Sequence, residues 1–323
     1  MRAMPSTPTF RYATLACFLL ASSFAVPAGF AKLKVPSETR AILDKIYSFD
    51  IAAALEAAQR MEQDHPDYPL GYLLESEALW WRIWCASAEF KYGMTDARRR
   101  PKSSANQHYF ELAAKASSLA EAQNKQHETA EMQFYAGMAD AAAARLYALR
   151  GENRNAARAG VRAREHFVRA KALDATLTDA DMGLGLYNYY VDTLSAVARV
   201  LRFFMGIPGG SKQEGVRLLE QAIADGVLTA NIARFYLALN LHRYDFQYEK
   251  ALSVIGPLAE KYPSNPLFQL ARGDLYAKLG RKEKALACYR AAEALAVPDA
   301  ECQARVRELV RISVEALGTA KEH

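Results

Sequence analysis

The sequence predicts an all-α fold: a right-handed superhelix of antiparallel helix pairs, with an apolar helical insert in one pair. Three observations predict it. Two stretches near the C-terminus repeat each other at a spacing of 34 residues. Nearly every segment after Lys32 has helical periodicity, and no run alternates convincingly with period two. Small residues recur where two helices would have to cross closely. A repeat of this length is a helix pair that cannot bury its own apolar face and so stacks on its neighbours.

In the later copy Gly273, Tyr276, Gly280, Ala285, Tyr289, Ala292 and Pro298 fall at the small, aromatic and helix-ending positions of a tetratricopeptide repeat (TPR), which the segment resembles. In the earlier copy Phe235, Ala251, Ile255, Leu258 and Pro263 hold matching places, and Ala251 lies 34 residues before Ala285. Gly273 is expected to face Ala285 at the crossing, with Tyr289 and Ala292 filling the groove toward the next pair. Gly280 sits at the turn, where a left-handed backbone costs glycine little. Pro263 and Pro298 follow the second helices, which proline cannot continue.

Residues 1–31 read as a secretory signal peptide. Arg2 and Arg11 supply its positive start, Tyr12 to Val26 is an uncharged apolar run, and Gly29 and Ala31 are small residues before a cut at Lys32. An uncleaved anchor is the alternative. The chain has 323 residues and a formal charge of +5, which removal of the two arginines lowers by two. Such a near-neutral balance gives no sign of a nucleic-acid partner. Export permits disulfides; Cys85, Cys288 and Cys302 remain after the signal, at spacings unlike a metal site. Cys288 reads as a small core residue, with a Cys288–Cys302 bridge as the alternative.

The remaining chain divides into degenerate N-terminal helical repeats over 32–174 and C-terminal repeats over 175–323, with an insert at 195–210 and a capping helix. Helices are expected at about 36–64 (a short pair), 70–93, 105–124, 127–150 and 152–173. The second of these stretches holds Trp80, Trp81 and Trp84, and an arginine-rich loop at 98–102 follows it. From 178 to 226 the rhythm breaks. Gly273 and Ala285 are 12 residues apart, but the corresponding Gly185 and Gly215 are 30 apart. An insertion therefore lies inside one repeat.

The run Gly183-Leu184-Gly185-Leu186-Tyr187-Asn188, the apolar insert, Ile207-Pro208-Gly209-Gly210 and Glu214-Gly215-Val216-Arg217-Leu218-Leu219 resembles the tetratricopeptide-repeat-39 family and its fungal relatives, the inclusion-body clearance proteins. The resemblance covers roughly 175–298. It implies an all-helical repeat fold and interaction or lipid-linked roles, and no catalytic residues.

Within the insert, Leu194, Val197, Ala198, Leu201, Phe204 and Met205 recur on one helical face, and Val200 and Phe203 broaden it. Such a helix can pack into the core, plug a groove or rest in a membrane interface, where Leu201, Phe203 and Phe204 would be the contacts. The glycines at 206–210 fail as a phosphate loop, because Ser211 precedes Lys212 and a helix precedes the loop. Trp80, Trp84, Tyr187 and Tyr190 are the candidate groove contacts for a partner, with packing between repeats as the alternative. Arg154, Arg158, Arg162 and Arg169 form a stripe that reads as a solvated face, with Glu165 available for pairing. The histidines are scattered, and His127-Glu128 lacks the second histidine of a metalloprotease helix. The prediction is a non-catalytic, periplasmic scaffold that needs no cofactor and no metal and binds a protein or peptide in its concave groove. A membrane-surface protein is the second reading, and an enzyme with a dispersed site the third.

Overall fold

Short turns between long helical runs leave each helix no choice but to double back on the one before it. The computed structural model describes residues 33–87, 105–195 and 207–319. Residues 1–31, read as a signal peptide, residues 98–102 and the insert residues Leu201, Phe203 and Phe204 lie outside them. Among the described residues there are thirteen helices and no strand. In chain order they are α1 Thr39–Tyr47, α2 Ile51–Asp64, α3 Pro69–Ser87, α4 Ala105–Gln126, α5 Ala130–Leu149, α6 Asn153–Leu173 and α7 Asp179–Asp192. Then come α8 Lys212–Asp225, α9 Ala230–Arg243, α10 Tyr248–Lys261, α11 Pro266–Lys278, α12 Lys282–Ala294 and α13 Ala300–Thr319. The odd-numbered helices α1 to α11 are first members of pairs and the even-numbered α2 to α12 are second members.

The sequence sets the starts of these helices. Asp50, Thr129, Ser211 and Asn265 each accept a backbone N–H of the first turn of α2, α5, α8 and α11. Each satisfies a donor that the helix itself leaves unpaired. Pro266 follows Asn265 at the first helical position, where its missing N–H is no loss. Asp179 does the same work across a turn. Its buried carboxylate accepts N–H groups of Val227, Leu228 and Thr229 at 2.8–3.0 Å and so ties the start of α7 to the turn before α9.

Pairs cross where glycine admits a neighbour. The ring of Phe167 on α6 fills the space that a Cβ at Gly137 or Gly183 would take, so α5 and α7 both lie against it. Gly185 and Gly215 let the backbones of α7 and α8 touch, which is the pairing expected across the insert. One expectation changes. Gly273 makes room for the ring of Tyr289 rather than for Ala285, and Tyr289 then donates to Asp274 at 2.7 Å.

Every described turn from a first to a second helix of a pair, apart from the insert, places one residue in the left-handed backbone region just before the N-cap. These residues are Phe49, Gly151, Phe246 and Gly280, with φ of 65°, 77°, 55° and 70°. Glycine holds that conformation freely, whereas a residue with a Cβ is strained by about 1–2 kcal/mol.

The solenoid closes on itself. Trp81 on α3 meets Tyr47 of α1, Phe235 of α9 and Phe268 of α11 with ring centroids 5.8, 4.9 and 5.4 Å away. Tyr262 and Lys261 reach Asp44 at 2.5 and 3.2 Å, and Asn265 donates to the carbonyl of Tyr47 at 3.0 Å. Arg82 stands 3.6 Å from Asp299. A disulfide joins Cys85 of α3 to Cys302 of α13, 217 residues apart in sequence with Cα atoms 5.1 Å apart. That separation is ordinary for a disulfide. Cys288 is buried and free, so it is a core residue, and the alternative Cys288–Cys302 bridge does not form.

Cross-linking so long a loop restricts the unfolded chain strongly, and a native disulfide typically contributes about 2–4 kcal/mol. Replacing both Cys85 and Cys302 by alanine should lower unfolding stability by about that amount in urea titrations. An unchanged midpoint would contradict the closure.

Candidate functional site

The closure decides what the inner face can do. Trp80 and Trp84, expected in the groove, are 2 % and 3 % exposed and stack on each other at 5.6 Å. Beneath them lies a largely buried ion pair. Arg145 of α5 holds Glu77 of α3 at 2.7 Å, donates to the Tyr109 hydroxyl at 2.6 Å and covers the Trp80 ring at 4.6 Å. Glu77 accepts the Trp81 indole N–H at 2.9 Å. Burial alone would depress the Arg145 pKa, but Glu77 holds it above its ordinary value, so the guanidinium stays charged. Together these side chains fill the space where a peptide was expected.

The predicted residues that keep some surface are Tyr187 and Tyr190 on α7. Tyr187 donates to the Pro208 carbonyl at 2.9 Å, and Arg164 of α6 lies 5.4 Å from its ring. Tyr190 donates to Asn240 Oδ1 at 3.0 Å. The buried Tyr189 between them donates to Asp245 Oδ2 at 2.9 Å, and Lys212 pairs with the same carboxylate. Burial, then the Asp245 charge, pushes the Tyr189 hydroxyl well above its usual range, which keeps it a neutral donor. Lys212 N–H also bonds Asp192 at 2.9 Å. Lys212 thus links the two flanks of the insert through Asp192 and ties them to Asp245 in the turn at 244–247.

That turn carries the aromatic surface that the sequence left unmarked. Tyr244 packs on Tyr189 and Tyr190 at 6.1 and 6.3 Å and is still 44 % exposed. Phe246 is 66 % exposed, touches Tyr248 at 6.4 Å, and holds the strained left-handed backbone. Phe49 adopts the same conformation, but its ring is 6 % exposed and burial offsets the strain. A signal existed: Phe246 is the 34-residue counterpart of Gly280. His242 beneath Tyr248 is neutral, its pKa lowered to about 4 by burial and by Arg243 and Lys278.

The arginine stripe of α6 is partly spent on neighbours. Arg162 pairs with Asp140 at 2.6 Å and Arg169 with Glu128, rather than with Glu165. A polar cluster between α2, α3 and α4 was also missed. Glu62, whose Oε1 is buried without a hydrogen-bond partner, lies against the buried Glu75, which accepts from Gln59 at 2.8 Å and faces His108 Nε2 at 3.0 Å. Among the described residues no group of acidic, histidine or cysteine side chains could hold a metal, and no helix is long and apolar enough to cross a membrane.

Fold and interior together define a tetratricopeptide-like helical repeat protein whose ends meet. No protein-family model matches the chain, and no curated protein matches it. Among solved structures it aligns with the crystal structure of yeast Tom70 at 9 % identity and a TM-score of 0.30, over 88 % of this chain and 89 % of that one. The likeness is too distant to carry an argument about fold or function.

The Glu62–Glu75 contact has a pH signature. Burial, then Glu75, raises the Glu62 pKa from 4.5 to about 8. Between those values the folded chain keeps a proton that the unfolded chain releases, so stability falls as pH rises through that window. Glu62→Gln removes the titrating group and should abolish the decline. At pH 8 its Tm should exceed that of the unsubstituted chain by on the order of 2–4 °C. Parallel melting curves from pH 5 to 8 would count against the raised Glu62 pKa.

Proposed function

We propose that the chain is an exported, non-catalytic scaffold of the bacterial periplasm, whose helical-repeat body binds a protein or peptide partner on its surface. The observation that carries this reading is the filled interior. With Trp80, Trp81 and Trp84 packed around the Glu77–Arg145 pair, recognition falls to the outside of the solenoid. Repeat solenoids characteristically present extended surfaces to macromolecules. The Cys85–Cys302 bridge favours an oxidising compartment and agrees with the signal peptide expected at 1–31. Within the predicted set, Tyr187 beside Arg164 is the best placed contact, since tyrosine and arginine are the side chains that protein interfaces use most. The resemblance of 175–298 to the tetratricopeptide-repeat-39 family supports an interaction role as well.

A second reading is favoured by one observation. The two flanks of the insert are joined by the Lys212–Asp192 bond, and Lys212 pairs with Asp245 in the turn that exposes Tyr244 and Phe246. Docking on a membrane through Leu201, Phe203 and Phe204 fits that arrangement.

Photo-crosslinking in living cells tests the first reading. A benzophenone side chain at position 187 should yield one discrete protein adduct in the envelope fraction, and the same group at the exposed position 60 should not. Adducts at both positions, or at neither, would remove it.

A further inference from the structure

We propose that the edge of the solenoid bearing Tyr244 and Phe246 docks on an anionic phospholipid surface, with the rings in the interfacial layer and the neighbouring lysines at headgroup phosphates. The inference rests on the membrane reading above, but assigns contact to residues outside the insert.

Phe246 is the starting point. It occupies a turn position that two of its three counterparts fill with glycine, and the third, Phe49, hides its ring in the core. Phe246 accepts the same backbone strain while two thirds of its surface faces water. Neither conformation nor burial within this chain explains a phenylalanine there, and such unrelieved strain is characteristic of contact sites. Tyr244, two residues earlier, is exposed beside it. Tyrosine and phenylalanine are side chains that enter the headgroup boundary, the first with its hydroxyl toward water.

Charge distinguishes the partner. The acids nearest the two rings are already neutralised: Asp245 by Lys212, and Glu249 by Arg281 at 2.5 Å. The Arg281–Glu249 pair also ties this turn to the next one, where Lys278, Lys282 and Lys284 are exposed and Glu283 is the one acid between them. Lys278 lies close enough to lower the pKa of His242, which stacks on Tyr248 next to Phe246. Rings and lysines therefore stand on two adjacent turns at one edge of the solenoid. A flat polyanionic surface meets such an edge directly, whereas a bound peptide is held in a groove or on a strand. Lysines near an anionic membrane add attraction that an uncharged bilayer cannot supply.

Co-sedimentation of the protein purified from expressing cells tests the proposal, using vesicles of phosphatidylglycerol with phosphatidylethanolamine and vesicles of phosphatidylcholine alone. The protein should pellet with the first and weakly with the second. Phe246→Gly suits the left-handed turn, so its Tm should not fall, while its partition into anionic vesicles should drop roughly tenfold. Lys278→Ser combined with Lys282→Ser should erase the preference for anionic lipid. Full binding by Phe246→Gly, with loss in Phe203→Glu plus Phe204→Glu, would overturn this proposal and leave docking through the insert standing. No binding by the unsubstituted protein would overturn both. Equal binding to the two vesicle types would overturn the headgroup assignment, and a lower Tm for Phe246→Gly would overturn the premise that the ring serves nothing within the fold.

Discussion

Packing of Trp81 against Phe235 and Phe268 is the constraint on which the rest of this molecule hangs. A helical-repeat solenoid is ordinarily one-dimensional, each pair touching only the pairs before and after it, and its inner face is then open. Here the third helix sits among helices that follow it by about 150 residues or more, and its three tryptophans complete one aromatic core. Once α3 occupies that place, Glu77 is carried inward and needs a cation. Arg145 supplies the charge, and Trp81 and Tyr109 complete the hydrogen bonding. A buried ion pair with all its partners in place adds little net stability, but losing one member would strand the other in a medium of low dielectric. The pair thus acts chiefly to fix where α3 sits.

Local features were legible in the sequence and distant ones were not. The 34-residue period and the small residues at the crossings depend on neighbours a few residues or one repeat away, and helix positions followed closely. The Gly185–Gly215 pairing across the insert was recovered for the same reason, because the repeat anchors on both sides remained intact. Closure depends on how much rotation accumulates from pair to pair, which no short motif encodes. For that reason the sequence pattern places Trp80 and Trp84 in a groove while the fold buries them, and it offers Cys288, 14 residues away, as the alternative partner for Cys302 where the fold supplies Cys85.

The candidate surface shows a different kind of blindness. Aromatic residues drew notice where they clustered, as in the tryptophans of α3, and not where one replaced a glycine. Comparing Phe246 with Gly280 one period later exposes the anomaly, since a turn built for a residue without a side chain carries a large one. The Glu62–Glu75 contact escaped notice because two glutamates 13 residues apart become neighbours only when α2 and α3 pack. In both cases the informative quantity is a relation between positions, and composition does not report it.

Closure also limits how such a protein can change over time. Open solenoids lengthen or shorten by whole repeats, because a duplicated pair finds the same neighbours as the original. In this chain an added pair would rotate α13 away from α3 and pull Cys302 out of reach of Cys85, while leaving Trp81 without Phe268. The number of helix pairs is therefore locked by geometry. New sequence can be accommodated only where it adds no rotation, between the helices, and the insertion in this chain falls between α7 and α8.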